Sequence, residues 1–349
     1  MNNKSYFHRV QEQTQTRFWI NNVTREEAKL AIEAGAVGCT QNPSYTWKML
    51  NSPDEKAYAF EILDEILKTE SDDNRALIKL QKTLVENIAE IFKPIYDKTK
   101  GRYGYVSIQG DPFHEDAETI IDCARLNCAN LPNMMAKIPA VEGGLEAIAI
   151  LAKEHVPINA TEVMAVKQAI DVCEVYQKAI QDVEDPAIIY FSYIAGIFDE
   201  YLSNVVKEKD IDIRPDVLWQ AGITVARKIH EIVGERNYPV GFISGGARSL
   251  HHFTEMVGAN ASVTINWVGT AQELIKQDPV VLQRFLQPTP YSVLDELNEK
   301  LPDFRKAYEL NGITVDEYDD FGPVKLFRSM FESAWENSLK LIAERRQKV

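Results

Sequence analysis

Cysteine is scarce in this sequence. Only Cys39, Cys123, Cys128 and Cys173 occur, none in the CxxC spacing of a zinc or redox site, and they read as buried thiols inside expected strands and helices. Long apolar runs are missing as well. The longest nearly uncharged stretch, about 186–198, falls short of the roughly 20 residues that a membrane-spanning helix needs, and the opening MNNKSYFHRVQEQTQ holds no apolar segment of a secretory signal. Positive charge is in deficit, with 38 Lys+Arg against 52 Asp+Glu and a formal charge of −14 over 349 residues. Such a chain repels phosphate backbones, which excludes nucleic acid and anionic membrane as main partners. A soluble, cytoplasmic protein is the expectation. Walker, GxGxxG, HExxH and nucleophile-elbow patterns are absent, and the adjacent His251 and His252 are expected to point apart on a helix. Nucleotide, metal and Ser-His-Asp chemistry are therefore not expected.

What is present is an alternation of β-branched or aromatic runs with amphipathic stretches. Strands are expected at 17–21, 36–40, 105–109, 133–139, 156–161, 187–194, 239–244 and 261–267. Between them lie helical patterns at 24–34, 53–99, 114–129, 143–153, 163–181, 214–234 and 248–257. Thr24 and Glu27 stand at the two positions of a capping box. A last helix covers 323–346, where Val324, Phe327, Phe331, Trp335, Leu339 and Ile342 share one face. Eight strand–helix units imply an α/β fold of the closed (β/α)8 TIM-barrel kind. We expect one domain over 1–349, with its barrel core at about 16–268 and a helical extension at about 270–349.

Catalytic groups in such barrels stand at the C-terminal ends of the strands. Those positions hold Asn21, Gln41, Asn42, Gln109, Lys137, Asn159, Thr161, Ser192, Arg248 and Asn266, nearly all neutral and polar. Lys137 lies in an apolar strand, where desolvation lowers an ammonium pKa and leaves an amine able to attack a ketone; a lysine snorkelling to solvent would look the same. Asn159 and Thr161 share a strand face, although Thr161 could equally cap the next helix. Asn42-Pro43 also fits an ordinary helix start. Ser244-Gly245-Gly246-Ala247-Arg248 reads as a glycine turn entering a helix beside a guanidinium, a place for a phosphate, sulfonate or carboxylate.

In order, these segments resemble the transaldolase family of Schiff-base aldolases. Thr40-Gln41-Asn42-Pro43-Ser44, Ala136-Lys137-Ile138-Pro139, Ile158-Asn159-Ala160-Thr161, Ser192 and Gly246-Ala247-Arg248 carry the likeness, over about 16–268. The resemblance implies a cofactor-free barrel that binds a ketose, with the terminal helix over its mouth. Lys137 would attack C2, the C3–C4 bond would break, and a dihydroxyacetone unit would pass to an aldehyde. Asn42 and Asn159 would hold its hydroxyls, with Ser192 beside them. Gln109 and Thr161 would hold a proton-relaying water, and Arg248 the anionic end of the sugar.

Three positions depart from the family pattern. Asn21 stands where the strand-one aspartate acts as general base, a role an amide cannot perform. Gln109 replaces a glutamate, as in the fructose-6-phosphate aldolase branch, and Ile197 replaces a second arginine. A transferase on a sugar phosphate is expected, with a lyase releasing dihydroxyacetone or a non-catalytic sugar-binding barrel as alternatives. The expected partner is a small sugar; a homo-oligomer is left open. The acidic residues are expected outside, around a ring with no carboxylate.

Overall fold

The computed structural model describes residues 4–348. Eight parallel strands close into a barrel in sequence order: β1 (Arg17–Asn21), β2 (Cys39–Thr40), β3 (Val106–Gln109), β4 (Met134–Pro139), β5 (Ile158–Val163), β6 (Ile189–Tyr193), β7 (Gly241–Ser244) and β8 (Ser262–Asn266), which pairs back onto β1. This is the expected (β/α)8 architecture. The Thr24 capping box forms, and the helix it starts, Arg25–Ala34, ends on Gly35 in the left-handed conformation.

Inward-pointing residues set up the site by their period of two. Trp19, Tyr105, Met135, Tyr190 and Ile243 pack together as an apolar floor inside the barrel. Two glycines make room for it: a Cβ on Gly38 would lie 2.4 Å from the Trp19 ring, and one on Gly241 2.3 Å from that of Tyr190. Two residues further along the same strands come Asn21, Lys137 and Ser192, so the floor hands over to a polar layer at the mouth.

The helical pattern differs from expectation in several places. The stretch 53–99 forms two helices, Lys56–Leu67 and Asp73–Thr99, after a separate Ser44–Asn51. A helix over Ala195–Glu208, not expected from the sequence, follows β6 and buries Ile197, Phe198 and Leu202. That spacing was readable, but the apolar run it continues resembles a longer strand. The segment 214–234 splits into Pro215–Leu218 and Ala221–Glu235, and 248–257 shrinks to one turn, His251–Thr254. All four cysteines are free; Cys39 and Cys173 are buried, whereas Cys123 and Cys128 are only half-buried.

The terminal helix, Gly322–Arg346, lies across the mouth as expected. Its far end is tied down by Trp335 Nε1 donating to Asn74 Oδ1 at 2.8 Å and by Arg345 and Arg346 donating to Asp64 and Asp73, each at 2.7 Å. Among the described residues no helix is long and apolar enough to cross a membrane.

Candidate active site

Lys137 is buried in β4, and among the described residues no hydrogen-bonding partner or salt-bridge carboxylate meets its ammonium. Burial lowers its pKa from 10.5 to about 8, while the charge of Glu162 pulls in the opposite direction. Its Nζ lies 5.8 Å from the centre of the Phe331 ring, which the terminal helix brings over the mouth. The snorkelling alternative is excluded, since only 6% of the residue is exposed.

An open pocket of about 780 Å³ unites Asn21, Asn42, Lys137, Ser192 and Arg248, roofed by Phe327, Met330 and Phe331. Asn159 stands beside Lys137 in the β4–β5 register, below the pocket wall. It holds Ser192 in place, accepting its Oγ–H at 2.7 Å and donating to Ser107 Oγ at 3.3 Å. Gln109 flanks Lys137 on the β3 side, and the two share an adjoining cavity of about 360 Å³. Thr161 remains in β5 instead of capping a helix; its buried Oγ1 has no partner among the described residues. Asn42 does serve the helix start, its Oδ1 accepting from Ser44 N at 3.0 Å, while still lining the pocket. Asn21 is locked into neutral polar contacts: its amide donates to Asn266 Oδ1 and its Oδ1 accepts from Thr40 Oγ1, both at 2.9 Å.

The glycine turn differs from expectation. Gly246 adopts φ 69°, and Gly196 packs so close that a Cβ there would meet the Gly246 carbonyl at 2.0 Å. The turn does not run into a helix, since the next helical turn starts only at His251. Two of its N–H groups are engaged, Gly245 N donating to Tyr193 O at 2.9 Å and Arg248 N to His252 Nδ1 at 3.3 Å, and Ser249 N just beyond it also donates to His252 Nδ1 at 3.2 Å. The Arg248 guanidinium remains at the pocket wall, hydrogen-bonded to the Glu200 carboxylate and to Gly246 O.

His251 and His252 do not point apart. Their ring centres are 4.0 Å apart, and with Asp199 they form a set of ligand-type atoms within 4.8 Å of one another. The hydrogen bonds do not suit a metal. With Nδ1 of His252 accepting two backbone N–H groups, its proton sits on Nε2, which faces Asp199 Oδ2 at 3.0 Å. No lone pair remains there for an ion, and the Asp199–His252 pair acts as a strut beneath the Arg248 turn.

The ring is not free of carboxylates, contrary to the sequence reading. Glu162, wholly buried beside Thr161, accepts from Gln109 Nε2 at 2.9 Å, and its other oxygen lies 3.8 Å from Arg328 Nε. Arg328, from the terminal helix, also meets Glu115 at 2.6 Å and Asp319 at 2.8 Å. Burial, then the Glu162 charge, raises the pKa of Glu115; burial also raises that of Glu162, against the pull of Arg328, Gln109 and Lys137. None of Glu162, Glu115, Asp319 and Arg328 stands out in the sequence. Period-two reading aims Glu162 away from the pocket, yet β5 is irregular between Ala160 and Val163, and Glu162 takes φ 61°.

The comparisons with known proteins point to one family. Transaldolase 2 of Streptomyces coelicolor is 27% identical over 209 residues, covering 57% of this chain and 55% of that protein. A transaldolase of Helicobacter pylori is 31% identical over 204 residues, covering 57% of this chain and 58% of its own. The chain spans little more than half the length of these curated relatives. Among solved structures, a fructose-bisphosphate aldolase from Campylobacter jejuni covers 98% of this chain and 91% of its own at 11% identity and a TM-score of 0.35, a likeness too loose to bear on the site. The family model described as Transaldolase/Fructose-6-phosphate aldolase matches residues 18–313, and the chain belongs to that family.

Proposed function

We propose that this protein is a transaldolase-type transferase, which takes a dihydroxyacetone unit from a phosphorylated ketose through a Schiff base on Lys137 and passes it to an aldehyde. The observation that carries this reading is the buried amine of Lys137 on β4, whose pKa burial lowers to about 8. It faces a pocket walled by neutral hydrogen-bonding side chains. At neutral pH about a tenth of such an amine is free to attack a carbonyl, against well under a thousandth of an ordinary lysine. Addition to C2 and loss of water give an iminium. That iminium draws the C3–C4 electrons as the bond breaks, leaving an enamine and releasing an aldehyde. The enamine then attacks the second aldehyde, and water frees the product from Lys137.

Asn42 and the Asn159–Ser192 pair suit the hydroxyls of the three-carbon unit, Gln109 and Thr161 a proton-carrying water, and Arg248 the phosphate. Asn21, an amide tied to Thr40 and Asn266, orients and does not take protons. The same site supports a second reading, a lyase that releases dihydroxyacetone, on the strength of the amide at Gln109. Borohydride reduction in the presence of fructose 6-phosphate, followed by peptide mass spectrometry, is expected to mark Lys137. An unmodified Lys137 with every ketose tried would end both readings. Dihydroxyacetone set free without an added aldehyde would favour the lyase.

A further inference from the structure

We propose that Glu162 is the acid–base partner of Lys137 and that Arg328 of the terminal helix fixes its charge state. The inference rests on the Schiff-base reading above and names the group that handles its protons. Schiff-base chemistry needs such a group twice: a proton must reach the departing carbinolamine oxygen, and another must leave the C4 hydroxyl as C3–C4 breaks. Neither Asn21 nor Gln109 can do this, because amides do not titrate near neutral pH.

The geometry supplies a carboxyl at the next position. Gln109 stands beside Lys137 across β3–β4 and donates to Glu162 at 2.9 Å. Strand β5 breaks its register to turn Glu162 this way, and a non-glycine residue at φ 61° inside a strand is an uncommon cost that surrounding structure must sustain. Around it, Gln109 Oε1, Thr161 Oγ1 and Glu162 Oε2 are buried with no hydrogen-bond partner among the described residues. The charged groups facing Glu162 are Lys137 from β4, Arg328 from the terminal helix, Asp319 just before that helix, and Glu115 after β3. Burial raises the pKa of both Glu115 and Glu162, the Glu162 charge raises that of Glu115 further, and Arg328 opposes both shifts. A buried carboxyl thus stands one hydrogen bond behind Gln109, the residue beside Lys137.

In the step itself, Lys137 Nζ bonds to C2 and the carbonyl oxygen becomes a hydroxyl. Glu162 gives its proton, through water, to that hydroxyl, which leaves as water while the nitrogen lone pair forms the iminium. The Glu162 carboxylate then accepts, again through water, the C4 hydroxyl proton as the C3–C4 electron pair moves into the enamine and the aldehyde departs.

The test is Glu162→Gln beside the exchange variant Gln109→Glu/Glu162→Gln, which moves the carboxyl onto β3. With fructose 6-phosphate we expect Glu162→Gln to lose about a hundredfold or more in kcat, to keep KM within a few-fold, and to lose the wild-type bell shape in the pH profile. The exchange variant should recover at least roughly tenfold of that loss. Borohydride trapping at Lys137 in the wild type runs alongside, since its failure would overturn the Schiff-base reading itself. Trapping that succeeds, together with an unchanged kcat and pH profile in Glu162→Gln, would overturn only the role of Glu162. A loss that the exchange variant does not recover would do the same, marking the carboxylate as an anchor for Arg328.

Discussion

Replacing Lys137 by methionine should make the protein more stable at neutral pH while abolishing its chemistry. Lys137 is held among Met134, Met135, Ala136 and Ile138 on a strand buried along its whole length, and methionine has a similar length with no charge to desolvate. Burial takes the lysine from 10.5 to about 8 even with Glu162 nearby, which amounts to about 3 kcal/mol against the folded state. Between pH 8 and 10.5 the unfolded chain holds a proton that the folded chain has shed, so wild-type stability rises with pH across that window. Below pH 8 both states are protonated and the full cost persists; above 10.5 it is gone. Lys137→Met has nothing to titrate there. Its advantage should therefore be about 3 kcal/mol at pH 7 and should close as pH approaches 10.5. Urea unfolding of both proteins at pH 7 and pH 10 measures it. A variant no more stable than the wild type at pH 7 would refute the claim that this lysine is destabilised by burial, and with it the basis for a reactive amine.

Two further substitutions probe the pocket walls. Asn21→Asp keeps the hydrogen bond from Thr40, and the exposed Asn266 amide can turn to donate, so the protein should fold normally with turnover within about threefold of wild type. A tenfold or greater rise in steady-state rate would instead identify Asn21 as the place of a missing base. Glu200→Gln should free Arg248 from its carboxylate and lower KM for a phosphorylated ketose by several-fold, whereas Arg248→Ala should raise KM by roughly tenfold. A KM that moves in neither variant would remove Arg248 from the anion site.

The barrel was legible because its evidence is local and repeated. Each strand is a short apolar run, and the polar residue toward its C-terminal end, such as Lys137 after Met135 or Ser192 after Tyr190, occupies the next inward position on the strand. Period two therefore gave both the fold and the candidate residues without any knowledge of what they touch. The helices were less legible where an apolar run changes period midway. Tyr193 ends a strand and Ala195 opens a helix, with only Ile194 between them. Partners of side chains were not legible at all. Nothing near Arg248 in the sequence announces Glu200, and nothing in the His251-His252 pair announces Asp199, because these contacts arise only when the helix after β6 folds against the turn after β7.

Glu162 shows why a strand-end reading misses what it most needs. Regular alternation after Thr161 sends the next side chain outward, toward the helices around the barrel, where a carboxylate would be counted among the outer charges of an acidic protein. The register shift in β5 and the left-handed backbone at Glu162 cancel that rule at a single residue. Neither leaves a trace in composition, since left-handed backbone usually advertises itself through glycine or asparagine and here it does not. The compensating cation comes from the far end of the chain, on a helix whose pattern reads only as an apolar face. An unfavourable backbone and a buried carboxylate survive together only if Gln109, Arg328 and the covering helix hold them. So large an investment beside a lysine is best explained by what the carboxylate does to that lysine. If Glu162 acts as proposed, the amides at Asn21 and Gln109 do not leave the barrel without a base: β5 supplies the carboxyl, and the terminal helix brings the arginine beside it.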